Sequence, residues 1–438
     1  MSKCLHWAVL WLAFGANAGT VESASPPRPL FRDFMGLNGH TVQFRPQLYR
    51  PIATQVRDYH PVEWDLGKDS DSIPPFPSAR NGVDWNAVYG SWRKQGWRVD
   101  ACLMFETLPR HKWKDLAADS RAYGERFAHA FGPSAANPLV ESVEIGNEPG
   151  SYSDADYRLV FEHLALGLKT GDPRIRVATC ALTTGKSHSY AKSVECLIGL
   201  ERLYDVLNVH SYAQLEGWPT WRRSYPEDPQ LKDYLPDITR LCAWRDAHAT
   251  GKQIWLTEFG YDASTTSPNP NSEFKQWVGV TDTQQAQWIV RSWLVLATLP
   301  IERAYLYFFN DEDAAQIHGA AGLTRRFQPK PSYHAVAHLQ RSLGDYRFER
   351  VLVDRPGEAR LYEFRHDQNS RLRAWVAWSP TGTNHTATLD LPPYNGTIEQ
   401  AERMPLKAEE TTQVPLPPKA RQVPIEESPL YIFLRMDG

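Results

Sequence analysis

An α/β fold, a (β/α)8 TIM barrel followed by a small C-terminal antiparallel β-sandwich, is what this sequence predicts. Three observations carry that prediction. Short apolar, strand-like runs alternate with stretches of helical period through the first three quarters of the chain. Eight such runs can be counted, the number that closes a parallel barrel. Beyond about Pro331 the period changes to two, the mark of half-buried strands. With 438 residues, 42% of them hydrophobic and 12% aromatic, the chain has material for one large domain and one small one.

The N-terminus carries Lys3, an apolar run from Leu5 to Phe14 and the small-x-small triplet Ala16-Asn17-Ala18. That is the pattern of an export signal cleaved after Ala18. The run is about half of the ~20 apolar residues that a membrane span needs. Residues 1–18 therefore read as a signal peptide, leaving a secreted or periplasmic protein with no membrane attachment after cleavage. Residues 19–29, with Pro26, Pro27 and Pro29, read as a leader into the folded part.

The barrel is expected over 30–331. Its candidate strands are Asp33 to Asn38, Thr54 to Tyr59, Arg98 to Phe105, Val140 to Asn147, Arg176 to Leu182, Val206 to Tyr212, Gln253 to Phe259 and Arg303 to Phe309. The helices between them follow from spacing. Trp85, Val88, Tyr89 and Trp92 share one face, and Gly96 stops that helix. Ser153 caps another, whose Tyr157, Val160, Phe161, Leu164 and Leu168 form one stripe ending before Gly171 and Pro173. A third begins near Asp282 and turns Ala286, Ile289, Val290, Trp293 and Leu294 inward. From 332 to 438, Leu361 to Phe364, the alternation Leu372, Ala374, Val376, the alternation Ala387, Leu389, Leu391, and Leu430 to Leu434 predict the sandwich. It lacks an exposed aromatic platform and reads as a support packed on the barrel.

Charge excludes one class of partner. The 23% charged residues nearly balance, with a formal net charge of −3, so there is no basic footprint for nucleic acid. Of five cysteines, Cys4 would leave with the signal. Cys102, Cys180, Cys196 and Cys242 read as structural, with one bridge open among the last three in an oxidising compartment. No CxxC occurs, and His60, His111 and His318 lack ligand spacing, so neither a metal nor a cofactor is expected. Nothing in the sequence specifies an oligomeric state.

Two segments carry chemistry. EIGNEPG, residues 144–150, places Asn147 and Glu148 at the carboxyl end of the fourth strand, and IWLTEFG, residues 254–260, places Glu258 at that end of the seventh. Barrel enzymes keep their active sites on this rim, so two carboxylates face one cleft. Cleaving a glycosidic bond needs such a pair. One must hold a proton, which desolvation and negative neighbours favour, while the other must stay ionised through donors. Arg57, ending the second strand, and Tyr212, ending the sixth, are candidate donors to Glu258. Structural pairing of Arg57 with Asp58 or Asp65 competes with that role. Against these roles stand the structural readings of Glu148 as a helix-start acid and of Glu258 as an ion-pair partner, which the arrival of both at the expected strand ends disfavours. Glu144 shares strand parity with Glu148 and is expected lower in the barrel as a paired acid. Glu106, after the third strand, is a candidate to line a sugar subsite. Trp218, in a loop-like stretch, is a stacking candidate, whereas Trp92 and Trp293 fall on helical stripes and read as core.

Asn147-Glu148-Pro149 after strand four, taken with Thr257-Glu258-Phe259-Gly260 after strand seven, resembles the signature of the clan A glycoside hydrolases, which are retaining (β/α)8 enzymes. The resemblance spans the barrel, about Leu30 to Pro331. It implies a double displacement in which Glu148 matches the acid/base, Glu258 the nucleophile, and Asn147 the amide that hydrogen-bonds the sugar 2-hydroxyl. His210 and Tyr212, in NVHSY, match clan positions near the nucleophile and the bound sugar. The chain departs from the pattern at Gly146, where many members carry Trp, and at Tyr305 to Asn310, where several aromatics replace a single Trp platform. The expected function is thus a secreted retaining glycosidase that cleaves β-linked oligo- or polysaccharides or β-glycosides without a cofactor. A catalytically silent carbohydrate-binding protein on the same barrel, and a transglycosylase, are the alternatives. For retention the two carboxyls should stand about 5 Å apart.

Overall fold

Eight parallel strands close on themselves: β1 (Met35–Gly39), β2 (Gln55–Pro61), β3 (Arg98–Met104), β4 (Ser142–Ile145), β5 (Arg176–Thr183), β6 (Val206–His210), β7 (Gln253–Phe259) and β8 (Arg303–Leu306). Strand β1 pairs with both β2 and β8, and β4 with both β3 and β5, so no barrel edge is left open. This computed structural model describes residues 28–40, 45–73, 76–410 and 412–437. The expected signal peptide, and the leader before residue 28, lie outside the described residues. Among those described, no helix is long and apolar enough to cross a membrane.

The first strand starts two residues later than expected, because Phe31–Phe34 forms one helical turn. Phe31 and Phe34 stand three residues apart, a helical neighbour spacing, and both are buried. Helices then clothe the barrel. Helix α1 (Trp85–Arg93) is capped by Asp84 and buries Trp85, Tyr89 and Trp92. Helix α2 (Leu116–Phe131) is capped by Asp115, and α3 (Asp154–Gly171) by Ser153, whose hydroxyl accepts from the Asp156 N–H. These two lie so close that a Cβ on Gly167 would stand 2.0 Å from the Arg121 carbonyl oxygen. Helix α4 (Tyr234–His248) follows β6. Helix α5 (Asp282–Leu296) opens with a capping box of Thr281 and Gln284. Every residue of α5 from Gln285 to Leu296 is buried, the condition of a helix with protein on all sides. The β5–β6 crossover carries no α-helix, only the two-residue strand Lys192–Ser193 paired with β5 and the short 3-10 turns Val194–Leu197 and Glu201–Leu203.

Pro331 does not end the barrel layer. It occupies the first turn of α6 (Pro331–Leu343), where proline is well tolerated because its missing N–H would be unsatisfied anyway. Ala335, Val336, Leu339 and Leu343 join the barrel's core, so that layer runs on to Leu343 instead of stopping at 331.

The C-terminal strands are β9 (Tyr346–Arg355), β10 (Ala359–His366), β11 (Leu372–Trp378), β12 (Ala387–Asp390), β13 (Gly396–Arg403), β14 (Gln422–Ile425) and β15 (Leu430–Met436). Five form an antiparallel sheet in the order β9-β10-β11-β15-β13, and β12 pairs with β14. Strand period two then splits the side chains. Tyr362, Phe364, Ala374, Val376, Trp378 and Tyr431 join the barrel's core. Leu361, Trp375, Ala377, Ile432 and Leu434 face the other way and meet Leu389, Val423 and Ile425 in a second core. At the seam the Trp378 indole N–H donates to Glu227 (2.7 Å), which pairs with Arg291 of α5. Arg291 also donates to the Thr381 carbonyl (2.8 Å).

All four described cysteines are free, and Cys102, Cys180 and Cys242 are buried. The bridge left open among Cys180, Cys196 and Cys242 is not formed.

The sandwich covers barrel residues such as Phe31, whose ring meets Phe364 edge-on at 5.5 Å. Removing residues 345–438 should therefore leave a fragment that is poorly soluble or melts well below the full chain. A soluble fragment with an unchanged thermal transition would contradict the support role.

Candidate active site

The site grows from the centre of the barrel upward. On β2, Arg57 pairs in register with Asn38 of β1. Its side chain is fully buried. Below it lies Glu144 of β4, which takes a fork: Nε donates to Oε2 at 2.8 Å and Nη2 to Oε1 at 2.6 Å. Toward the rim, Nη1 donates to Asn38 Oδ1 (2.9 Å) and to Glu258 Oε1 (3.2 Å), and Nη2 to Asn147 Oδ1 (2.8 Å). Burial would push such a guanidinium to lose its proton, but the Glu144 carboxylate holds it charged, above its ordinary range. Asp65, weighed as a partner for Arg57, instead meets His60 (2.6 Å) and the Trp85 N–H (2.8 Å).

Glu258 sits near the end of β7, in register with His210 of β6. Tyr59 donates its hydroxyl to Oε1 (2.6 Å), and Tyr212 donates to Oε2 (2.8 Å). Desolvation alone would raise the affinity of this buried carboxyl for a proton. The charges of His210 and Arg57 and the Tyr59 hydrogen bond outweigh it, and hold Glu258 well below the usual carboxylate range.

Glu148 has a different setting. Its side chain is 34% exposed against 7% for Glu258. Among the described residues its carboxylate has one hydrogen-bond partner, His210 Nδ1 at 2.9 Å. The other ring nitrogen, Nε2, lies 3.1 Å from the Thr257 hydroxyl, which donates onward to Asn208. Thr257 thus accepts from Nε2–H, so a neutral ring turns the Nδ1 lone pair toward Glu148. Burial lowers the proton affinity of His210, but Glu258 and Glu148 raise it, and the net direction is up.

One carboxylate oxygen from each of Glu148 and Glu258 and one nitrogen of His210 lie within 4.8 Å of one another. A cation can bridge such a trio. Here both Glu258 oxygens accept hydrogen bonds from Arg57, Tyr59 and Tyr212 and His210 faces Glu148, so the described groups are joined as a hydrogen-bond network.

The structure brings together Arg57, Asn147, Glu148, His210, Tyr212 and Glu258. It does not bring in Glu106 as expected. The carboxylate of Glu106 turns to backbone: Oε1 accepts from the N–H groups of Asn147 (2.8 Å) and Glu148 (3.1 Å), and Oε2 is buried. Neither oxygen is free to line a sugar subsite. Desolvation pushes this carboxyl up to about 7 in spite of the two N–H donors. Trp218 is 71% exposed in the loop after β6, and no described contact ties it to the carboxylates.

Several neighbours escaped the sequence reading. Tyr59 carried a signal, since it stands two residues from Arg57 and so shares its face of β2. Arg223 lies 4.1 Å from the centre of the Tyr212 ring and bonds the Gly260 carbonyl (2.7 Å) and Asp262 (3.0 Å). His318 contacts the rings of both Tyr212 and Tyr307, and His40 stacks on Tyr59. Of the aromatics between 305 and 310, Tyr307 and Phe308 border the site, while Tyr305 packs with Trp255 low in the barrel.

No family model matches the chain, and no curated protein matches it. Solved structures do. A family 39 glycoside hydrolase from Bacteroides cellulosilyticus superposes with a TM-score of 0.68 at 16% identity, covering 94% of this chain and 83% of that one. A glucosidase from Croceicoccus marinus gives 0.64 at 14% identity, with 94% and 98% covered. A family 51 arabinofuranosidase from Xanthomonas axonopodis pv. citri gives 0.61 at 12% identity, with 93% and 97% covered. The shared property is the fold. It extends over barrel and sandwich together, as the coverage of this chain shows.

Two outcomes follow from the contacts of Arg57 and Glu258. Tyr59→Phe removes a donor from the ionised Glu258, which then binds a proton more readily. The acid limb of the kcat/KM profile should move to higher pH, by about one unit for a bond worth ~1.5 kcal/mol; an unmoved limb would speak against this role. Arg57→Met strips Glu144 of its counter-charge and should cost about 3–5 kcal/mol in urea unfolding.

Proposed function

We propose that this chain is an exported retaining glycoside hydrolase, with Glu258 as nucleophile and Glu148 as acid/base, acting on β-linked oligo- or polysaccharides or β-glycosides. One observation carries the reading: two carboxylates with oxygens within 4.8 Å, in unlike surroundings, at the carboxyl rim of the barrel. Retaining enzymes hold their pair about 5–5.5 Å apart, whereas inverting ones leave about 6.5–9.5 Å for a water. The names of the similar structures, a glucosidase and an arabinofuranosidase among them, agree with glycoside chemistry. The β-linkage rests on the resemblance of the paired motifs, and export on the N-terminal pattern of Lys3, the apolar run and Ala16-Asn17-Ala18.

In this reading Glu258, kept ionised by Arg57, Tyr59 and Tyr212, attacks the anomeric carbon, while Glu148 gives its proton to the departing oxygen. The glycosyl ester on Glu258 then meets a water whose proton passes to the Glu148 carboxylate, and the C–O bond to Glu258 breaks. Ester formation removes the negative charge of Glu258, and the tyrosines and Arg57 receive it back at hydrolysis. His210 suits a group that changes protonation twice. Its Nδ1 accepts from protonated Glu148 when the ring is neutral, and donates to the carboxylate when the ring is charged. Asn147, whose Oδ1 is taken by Arg57, presents its NH2 for the sugar 2-hydroxyl.

The test is a panel of aryl β-glycosides and β-linked polysaccharides with wild type, Glu258→Ala and Glu148→Ala. Turnover should vanish in Glu258→Ala, and proton NMR should show the product anomer matching the substrate. Azide should rescue Glu148→Ala on an activated glycoside and give a glycosyl azide of retained configuration. An inverted product would overturn the mechanism. Sugar binding without wild-type turnover would favour the silent carbohydrate-binding protein.

A further inference from the structure

The geometry points to Glu106 as a positioning residue for the acid/base, working through the backbone of residues 146–148. Strand β4 ends at Ile145, and Gly146 turns the chain at φ +82°. A Cβ there would stand 2.6 Å from the Phe105 ring and 3.4 Å from Glu106 Oε2. The absent side chain therefore lets the 3-10 turn Phe105–Thr107 lie directly on the backbone that leads into Asn147 and Glu148. Into that room reaches the Glu106 carboxylate, and one oxygen, Oε1, receives both successive N–H groups. Two donors converging on one acceptor fix the orientation of the peptides that carry the Asn147 and Glu148 side chains.

Apart from the backbone N–H of Glu106 itself, no other described group claims this carboxylate. Oε2 is buried and lacks a hydrogen bond among the described residues. The titratable groups that act on Glu106, or on which it acts, are Glu144 on β4, Cys102 on β3, Cys180 on β5 and Tyr152 after β4. None of them donates a hydrogen bond to it, so its structural use is spent on the two N–H groups. Glu106 touches no substrate. It acts on Glu148 by holding the turn, and a displacement on the scale of 1 Å can cost ~100-fold in a step that depends on placement.

The inference rests on Glu148 being the acid/base, and it has a signature that loss of stability does not share. Protonation matters for a poor leaving group and little for one that departs readily as an anion. Glu106→Ala should lower kcat/KM by about 10- to 100-fold on an alkyl or disaccharide glycoside, yet by less than about 2-fold on the 2,4-dinitrophenyl glycoside of the same sugar. Glu106→Gln keeps an acceptor oxygen in place and should restore most of the loss. Gly146→Ala, which forces the Phe105–Glu106 turn aside, should reproduce the pattern. If Glu106→Ala does not fold, Glu106→Asp, with its oxygen withdrawn by one methylene, carries the same test. Equal losses on both substrates, or no loss on either, would overturn the proposal. Glu148→Ala is assayed alongside. If it lacks the leaving-group pattern, the assignment of Glu148 fails; if it shows the pattern and the Glu106 variants do not, the positioning role alone fails.

Discussion

A charged arginine in the middle of a barrel is expensive, and the rest of this site is arranged around that cost. A guanidinium out of water must have its donors matched and its charge balanced. Arg57 has five N–H groups in a fixed plane, and five oxygens meet them: two from Glu144 and one each from Asn38, Asn147 and Glu258. Those partners come from β1, β4 with the turn that follows it, and β7. One planar cation thus sets the relative positions of strands far apart in sequence. A buried ion pair of this kind is weak evidence of stability, but it is an effective way to hold a carboxylate ionised where water is scarce.

From that constraint follows the difference between the two rim carboxylates. Glu258 is nearly enclosed and surrounded by donors, so its lone pairs are presented in a fixed direction and its charge is retained. Glu148 is a third open and meets a single imidazole. In the mechanism proposed above, these unlike neighbours suit the same functional group to nucleophilic work in one place and to proton transfer in the other. His210 joins the two halves: it pairs in register with Glu258 and hydrogen-bonds Glu148.

Much of this was legible in the sequence because strands announce themselves and strand ends carry function. All eight barrel strands fall where the apolar runs lie, and the parity that placed Glu144 beneath Glu148 holds in its fork with Arg57. The same parity would have found Tyr59 from Arg57. What sequence could not reveal is direction within a turn. Glu106 ends its strand like a subsite residue, yet the bare Cα of Gly146 draws it inward. Pro331 marked a change of texture and was read as a boundary, while it in fact starts a helix of the barrel layer. The four described cysteines lie apart in sequence, and only the packing shows that no pair is joined. Arg223, His318 and His40 come from loops or strand ends whose paths no local pattern sets.

In the proposed mechanism Glu258, held ionised by Arg57, forms a covalent bond to the sugar. That step is tested most directly by treating the protein with an activated 2-deoxy-2-fluoro β-glycoside of a sugar that it turns over, then measuring intact and peptide masses. One added glycosyl unit is expected, on the peptide that contains Glu258. A label on Glu148, or continued turnover with no covalent adduct and an inverted product, would contradict it.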